Sequence, residues 1–323
     1  MKLFSSFNNR YTTPGKGVKK SDVSARFGFR NCFSIFADKF WKLPLLNLLF
    51  FVVNAPLFGI FAYLAGVGGE PYRAPASVVF QPLYGAFLHG ENPALLSQFG
   101  AFGVQIGNYY PRTFSYILLG IGLMTVFTFG IACAAMTYIQ RNFVRREPVD
   151  LGSDFLYCIK KNWKQSIALG LCDLLFLGLI AMDMTILQTS GGFDFGALVV
   201  YYGVLVISLL YLMMRPFLYL LSVTFELKLF KLIKNSWILT IAGIGRNLLC
   251  FLAAALVLIL NFVIYLMIPS LGIGMLFLFT VSVAWFFQVY GAWPTVKKHM
   301  IDPFYEEKSV SEEKEESVFV DRG

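Results

Sequence analysis

Charged residues are scarce in this sequence. Of its 323 residues only 14% are Asp, Glu, Lys or Arg, while 57% are hydrophobic and 34 are phenylalanine. Because soluble domains carry about 25% charged residues, this composition excludes an ordinary soluble fold. The apolar residues gather in runs close to the roughly 20 residues that a helix needs to cross a bilayer. We therefore predict a multi-pass membrane protein.

Histidine, a frequent catalytic and metal-binding side chain, is almost missing. The two histidines are His89 and His299, and neither lies in an apolar run, so a membrane serine protease would lack its base. The sequence has no HExxH motif and no Gly-rich phosphate loop, and its five cysteines form no CxxC or Cys-His metal spacing. We expect no enzyme activity, no metal and no cofactor.

Six apolar runs make up the predicted membrane-spanning part. Since backbone polar groups cannot stay unpaired in lipid, each run should form a helix. The predicted fold class is an all-α bundle of six transmembrane helices, with spans at about 43–64, 114–139, 167–187, 197–225, 248–267 and 275–292.

Positive charge is confined to one set of the segments between these runs. All but three of the 27 lysines and arginines precede Leu43, follow Trp293 or lie in the stretches 141–164 and 228–246. By the positive-inside rule, this pattern predicts that both ends of the chain are cytoplasmic. Contact with anionic lipid headgroups then accounts for the net charge of +8, and a nucleic-acid partner is not needed.

Composition divides the chain into three parts. Residues 1–24 are predicted to be a flexible basic arm, residues 25–295 the membrane domain and residues 296–323 an acidic, disordered cytoplasmic tail. Within the membrane domain, residues 25–40 carry phenylalanines at helical spacing, which predicts an amphipathic helix along the inner leaflet. The external segment 65–113 holds several tyrosines, which either bind a sugar or fold over the bundle at headgroup level.

Two basic stretches interrupt the apolar sequence. In "VRREPVDLGSDFLYCIKKNWKQS", residues 144–166, apolar side chains recur at helical spacing with lysines between them. Residues 226–247 repeat this pattern, and their "IKNSW" echoes the earlier "IKKNW". Each stretch predicts a short amphipathic helix lying flat on the cytoplasmic membrane surface, and the echo predicts a parallel internal repeat. The candidate docking residues of these helices are Asp154, Phe155, Lys161, Asn162, Trp163, Lys234, Asn235 and Trp237.

A longer run resembles a known family. "FTFGIACAAMTYIQRNFVRREPVDLGSDFLYCIKKNWKQSIALG" is similar to the core of the YesL-like family of bacterial membrane proteins, a domain of unknown function. The resemblance rests on the pair Asp154 and Phe155, on "KNWKQS" from Lys161 to Ser166, and on the later "LIKNSWIL". It implies an integral plasma-membrane protein, often encoded near carbohydrate-uptake transporters and glycoside-processing enzymes. It supplies no catalytic residues.

Charges inside the spans indicate a candidate site, because a charge in lipid is costly unless it is paired or hydrated. At 1.5 Å per residue, Asp173 lies about 9 Å above the predicted inner end of its span and Arg215 about 15 Å above that of the next. An arginine that extends toward the cytoplasm closes this difference, so we predict that the two pair. Pro216 should free a carbonyl near Leu212 for the arginine. Asp183, near the outer end, is expected to be solvated.

Two functions remain open for this pair. It is either a fixed ion pair that locks two spans, or a gate or proton-coupled site for an anionic or sugar-like solute. The Glu-Ala-Ala loop of ABC importer permeases is absent from the sequence, which disfavours a core permease and leaves room for an accessory subunit. We therefore expect an accessory or regulatory component that contacts a carbohydrate transporter complex; the alternative is a stand-alone transporter of a small sugar or anion.

Overall fold

The computed structural model describes residues 27–64, 73–75, 104–106, 112–189 and 195–303. Helices form nearly all of these residues, as predicted for an all-α protein. The predicted arm 1–24 lies outside the described residues, as do most of the external segment 65–113 and most of the tail 296–323. Those predictions therefore stay predictions.

The elements follow one another along the chain with short connections. The helices are α1 Phe29–Lys39, α2 Lys42–Val53, α3 Leu57–Leu64, α4 Arg112–Leu123, α5 Thr125–Val144, α6 Leu151–Thr189, α7 Phe195–Thr224, α8 Leu229–Ala242, α9 Ile244–Met267, α10 Pro269–Met275 and α11 Val281–Val296. Two π-helical segments, Leu276–Thr280 and Lys297–Ile301, flank α11. Strands β1 Arg73–Pro75 and β2 Val104–Ile106 pair antiparallel, with Arg73 opposite Ile106.

Five helical segments are long and apolar enough to cross a membrane. A sixth crossing would combine α2 with Leu57–Tyr63, two helices that meet at a bend of 66°. Pro56 lies at this bend, and the residue before a proline is disfavoured in helical geometry. The prediction of a multi-pass helical protein is confirmed, with five spans, or six if the bent pair is one. The five are Phe114–Val144, Leu151–Asp183, Leu198–Thr224, Ile244–Met267 and Pro269–Ile301.

The chain forms two compact units, one of residues 51–130 and one of the remaining residues. In the larger unit, α5, α7 and α11 supply many of the fully buried side chains, among them Phe143, Phe217 and Phe286. In contrast, most large apolar side chains of α9 are exposed. In a membrane such a surface faces lipid, where apolar exposure carries no penalty.

Asn47 of α2 fixes the π-helical segment before α11. Its amide nitrogen donates to the carbonyls of Leu276 at 2.9 Å and Phe277 at 2.5 Å, and its Oδ1 accepts the backbone N–H of Ser282 at 2.8 Å. A π-helical turn leaves backbone groups out of the regular α-helical ladder. One buried amide therefore satisfies three of them and joins α2 to the helix that carries Trp285.

Helix α1 packs against the larger unit by one edge only. Cys32 and Ile35 are buried, and the ring of Phe36 stacks on that of Phe287 with centroids 6.1 Å apart, whereas Phe29 and Phe33 are exposed. The four phenylalanines therefore do not form one buried face. Burial also raises the pKa of the Cys32 thiol to about 11.

The first predicted surface helix is not a separate element. Helix α6 runs without a break from Leu151 to Thr189, so the basic stretch and the span that follows form one rod of 39 residues. Nothing in "KNWKQSIAL" breaks a helix, and extending an existing helix is far easier than starting a new one. The second stretch does form its own helix, α8, which ends at Gly243. The two stretches thus differ, and the predicted internal repeat is not supported.

The smaller unit contains a close contact between α3 and α4. A Cβ added to Gly59 would lie 2.6 Å from the carbonyl oxygen of Leu118, and one added to Gly122 would lie 2.7 Å from the backbone nitrogen of Ile60. Only glycine permits backbones to approach so closely. The two glycines therefore set the distance between these helices.

Candidate functional site: a buried carboxylate between three helices

The structure brings Asp173 of α6 and Arg215 of α7 together. Arg215 Nη2 lies 2.8 Å from Asp173 Oδ2, and its Nε donates to Oδ1 at 2.8 Å. The carboxylate is buried, and the arginine side chain is only 15% exposed. This two-pronged geometry is the strongest form of a carboxylate–arginine pair.

Two tyrosines complete the partners of Asp173. The hydroxyl of Tyr211 donates to Oδ1 at 2.6 Å, and that of Tyr219 donates to Oδ2 at 2.8 Å. Residues 211, 215 and 219 are four apart, so they follow one face of α7. We call Asp173, Arg215, Tyr211 and Tyr219 the carboxylate network. Sequence reasoning missed the tyrosines, although the Tyr-x₃-Arg-x₃-Tyr spacing was there to be read.

Helix α11 and helix α5 cover the charged face of Arg215. The guanidinium lies 5.2 Å from the ring centroid of Trp285, an arrangement typical of a cation–π interaction. Trp285 Nε1 donates to the hydroxyl of Thr137 at 2.8 Å, and that hydroxyl donates to the carbonyl of Cys133 at 2.7 Å. The ring that faces the arginine is therefore held in place by α5.

Pro216 lies inside α7, next to the arginine. A proline removes the donor for the carbonyl four residues earlier, here Leu212. Asn247 of α9 donates its amide N–H to the adjacent carbonyl, that of Met213, at 2.9 Å. A side chain from α9 thus binds the backbone at the level where the proline interrupts it.

The network satisfies its carboxylate completely. An ionised carboxylate has about four lone-pair positions, and Asp173 accepts from both tyrosines and from two arginine nitrogens. A solute that needs this carboxylate would first have to displace a protein donor. The arrangement therefore favours a fixed connection between α6 and α7 over an open binding site.

A second buried arginine was not anticipated. Arg141 of α5 donates to the carbonyl of Val223 at 2.9 Å and to the hydroxyl of Thr224 at 3.2 Å, and its guanidinium lies 4.7 Å from the ring centroid of Tyr138. A cation at the carboxyl end of α7 is favoured by the helix dipole. The sequence prediction had assigned Arg141 to a basic loop, because hydropathy does not show where a span ends.

The candidate docking residues differ in exposure. Lys161, Trp163, Lys234 and Trp237 are exposed, and Asn162 and Asn235 are partly so. Phe155 is only 2% exposed and cannot contact a partner, which corrects its assignment.

Asp154, another of these residues, supports the start of α6. Its carboxylate accepts the backbone N–H of Asp150 at 3.1 Å, and the hydroxyl of Ser153 donates to the Asp150 carboxylate at 2.8 Å. Such bonds satisfy groups at the first turn of a helix. Asp154 therefore has a local structural role.

One hydrogen bond joins the two basic stretches. Gln165 Nε2 in α6 donates to the carbonyl of Leu227, just before α8, at 2.6 Å. The end of the first stretch and the start of the second therefore lie side by side. Among the described residues, no group of three or more His, Cys, Asp or Glu side chains could hold a metal ion.

The fold and the carboxylate network define a class, a multi-pass α-helical membrane protein with an ion pair inside its bundle. Residues 112–184 of the chain match the family described as "Protein of unknown function, DUF624". This segment runs from α4 into α6 and contains Asp173 but not Arg215. Neither a curated protein nor a solved structure matches the chain. The similarity therefore covers part of the chain and carries no stated activity.

Proposed function

We propose that the protein is an accessory or regulatory component of the plasma membrane that acts through contacts with other membrane proteins and performs no chemistry. The observation that carries this proposal is the saturated carboxylate of Asp173, whose oxygens accept from Arg215, Tyr211 and Tyr219. A charge satisfied in this way stabilises helix packing and leaves no ready site for a solute.

The surface offered to a partner is the amino-terminal part of α6. Leu156, Tyr157 and Trp163 are about half exposed there, with the exposed Lys160 and Lys161 between them. Aromatic side chains rimmed by charges are common in protein interfaces. We call these five residues the docking surface. Its position on the cytoplasmic side follows from the positive-inside pattern, and the contact of Gln165 with Leu227 supports this because it puts two basic stretches side by side.

Carbohydrate uptake is the process in which we place this component. The support is the resemblance of "KNWKQS" and its surroundings to the YesL-like family, whose members are often encoded near carbohydrate transporters. The partner would be a subunit of such a transporter in the same membrane.

A photo-crosslinking amino acid at Tyr157 tests the docking surface in living cells. We expect Tyr157 to crosslink to a carbohydrate transporter subunit identified by mass spectrometry. The matched control is Leu175 on the same helix, which is 60% exposed but lies among apolar residues. Identical products at both positions, or products containing only lipid, would contradict the proposal.

A stand-alone transporter of a small sugar or anion is the second candidate. The observation in its favour is that Tyr211 belongs both to the carboxylate network and to the wall of a large groove. Purified protein in liposomes would then carry a labelled sugar or anion, and the variant Arg215→Gln would stop the flux. Flux that depends on Arg215 would overturn the accessory role.

A further inference from the structure

A groove of about 690 Å³ lies between α6, α7 and α8. This volume falls within the roughly 300–1,000 Å³ typical of ligand pockets. The walls are almost entirely apolar and include Leu179, Ile180, Val204, Ile207 and Met214. Leu179 and Ile207 are mostly exposed, so the groove opens on a surface that lipid covers in a membrane. An apolar chain is therefore the kind of group that it accommodates.

The polar side chains within the walls make no demand on such a chain. The hydroxyl of Ser208 donates to the carbonyl of Val204 at 2.7 Å, and the hydroxyl of Tyr211 donates to Asp173 at 2.6 Å. Both hydroxyl hydrogens are thus engaged by the protein. An apolar occupant can cover these walls without leaving a donor unpaired.

Opposite charges lie at the two ends of the groove. Because Phe176 of α6 stacks on Tyr211 of α7 with ring centroids 4.8 Å apart and the two helices are antiparallel, Asp183 lies farther along, toward Val204. Lys234 lies on α8, whose start is next to Gln165 at the basic end of α6. Asp183 is about 28 Å of helix beyond Lys164, close to the thickness of a bilayer core. One end of the groove is thus cationic and the other anionic.

The exposed side chains of α8 change character at this cationic end. Lys228, Lys231 and Lys234 are exposed, and the exposed side chains that follow, Trp237 and Ile238, are uncharged. Tryptophan is enriched at the headgroup level of membranes, and lysine extends its ammonium toward that level. Lys234 and Trp237 therefore mark the boundary between headgroups and acyl chains.

We infer that the groove binds one anionic phospholipid, with its phosphate on Lys234 and an acyl chain along α6 and α7. The reverse orientation would bring the phosphate to the carboxylate of Asp183, which repels it. The charge complementarity at Lys234, the apolar walls and the opening to lipid all fit this occupant. The site is independent of the docking surface, since none of its lining residues belongs to that surface.

Native mass spectrometry of the purified protein with added phosphatidylglycerol or phosphatidylcholine tests the site. We expect one phosphatidylglycerol to bind about five-fold more tightly than phosphatidylcholine, the effect of about one surface cation. Lys234→Gln should remove this preference. The control Lys231→Gln replaces an exposed lysine of the same helix that does not line the groove, so it should retain the preference.

Filling the groove is the second arm of the test. Ile207→Trp should abolish binding of both lipids, whereas Val206→Trp, at an exposed neighbouring position outside the lining, should not. Equal binding of the two lipids, or binding unchanged by Ile207→Trp, overturns the inference. So does a dimer in the same spectra that Ile207→Trp dissociates, because a second copy would then occupy the groove.

Discussion

At the scale of residues, one carboxylate determines how α6 and α7 pack. Asp173 could be predicted as a site because a charge within an apolar run needs a partner, and Arg215 was the partner nearest in depth. The tyrosines could not, because a tyrosine in a span is unremarkable until its position relative to the acid is known. Arg141 was missed for another reason: the run that contains it continues as helix past the point where hydropathy falls.

Removing the charge of Asp173 should destabilise the protein strongly. In Asp173→Asn the guanidinium of Arg215 stays buried without a counter-charge, which costs about 3–5 kcal/mol. We expect a clear fall in the thermal unfolding midpoint in detergent. The double variant Asp173→Asn with Arg215→Gln should regain much of this loss, since no charge is then buried. Asp183→Asn is the control and should unfold like the wild type; an unchanged midpoint in Asp173→Asn would contradict the role of the pair.

Each tyrosine of the network should contribute separately. Tyr219→Phe and Tyr211→Phe each remove one hydrogen bond to a charged acceptor, worth about 1.5–3 kcal/mol. The variant Tyr202→Phe, at a position that is 60% exposed, should change the free energy of unfolding very little. Chemical denaturation of the three variants in the same detergent makes the comparison. If Tyr202→Phe were as damaging as the other two, the measured loss would not come from the network.

At the scale of elements, the sequence predicts helices well and their boundaries poorly. The bend at Pro56 was foreseeable from the prolines of the first span, and the separate helix α8 from its spacing. The fusion of the first basic stretch with α6 was not, because amphipathic spacing is the same whether a helix ends or continues. What decides is the absence of a breaker after Lys164, compared with Gly243 after α8, where a Cβ would lie 2.5 Å from Thr295 Oγ1.

The contact between α3 and α4 should depend on single glycines. Gly59→Ala would place a methyl group against the backbone of α4, which cannot move aside as a side chain can, so we expect the helices to separate and the unfolding midpoint to fall. Gly120→Ala, in α4 with no atom within 4 Å of the added Cβ, should be neutral or stabilising by up to about 1 kcal/mol from helix propensity. Similar midpoints for both variants would show that the close contact is not needed.

At the scale of the whole molecule, length and apolarity were enough to predict a multi-pass helical protein. The internal repeat was inferred from five residues, "IKKNW" against "IKNSW", and the two copies do not share one fold. Yet the same two stretches do meet, through Gln165 and the carbonyl of Leu227. Both stretches are basic, so their contact gives the molecule one strongly positive end, and the orientation proposed for the protein rests on that end.

This orientation can be tested from the two ends of α6. Native cysteines are unsuitable reporters, since Cys158 is buried and would resist a thiol reagent from either side. Gly152→Cys is better, because Gly152 is exposed and its added Cβ meets no atom within 4 Å, and Thr185→Cys gives an exposed position beyond Asp183. If the basic end is cytoplasmic, an impermeant maleimide should label Thr185→Cys in intact cells and Gly152→Cys only after permeabilisation. The opposite labelling would reverse the topology and place the docking surface outside the cell.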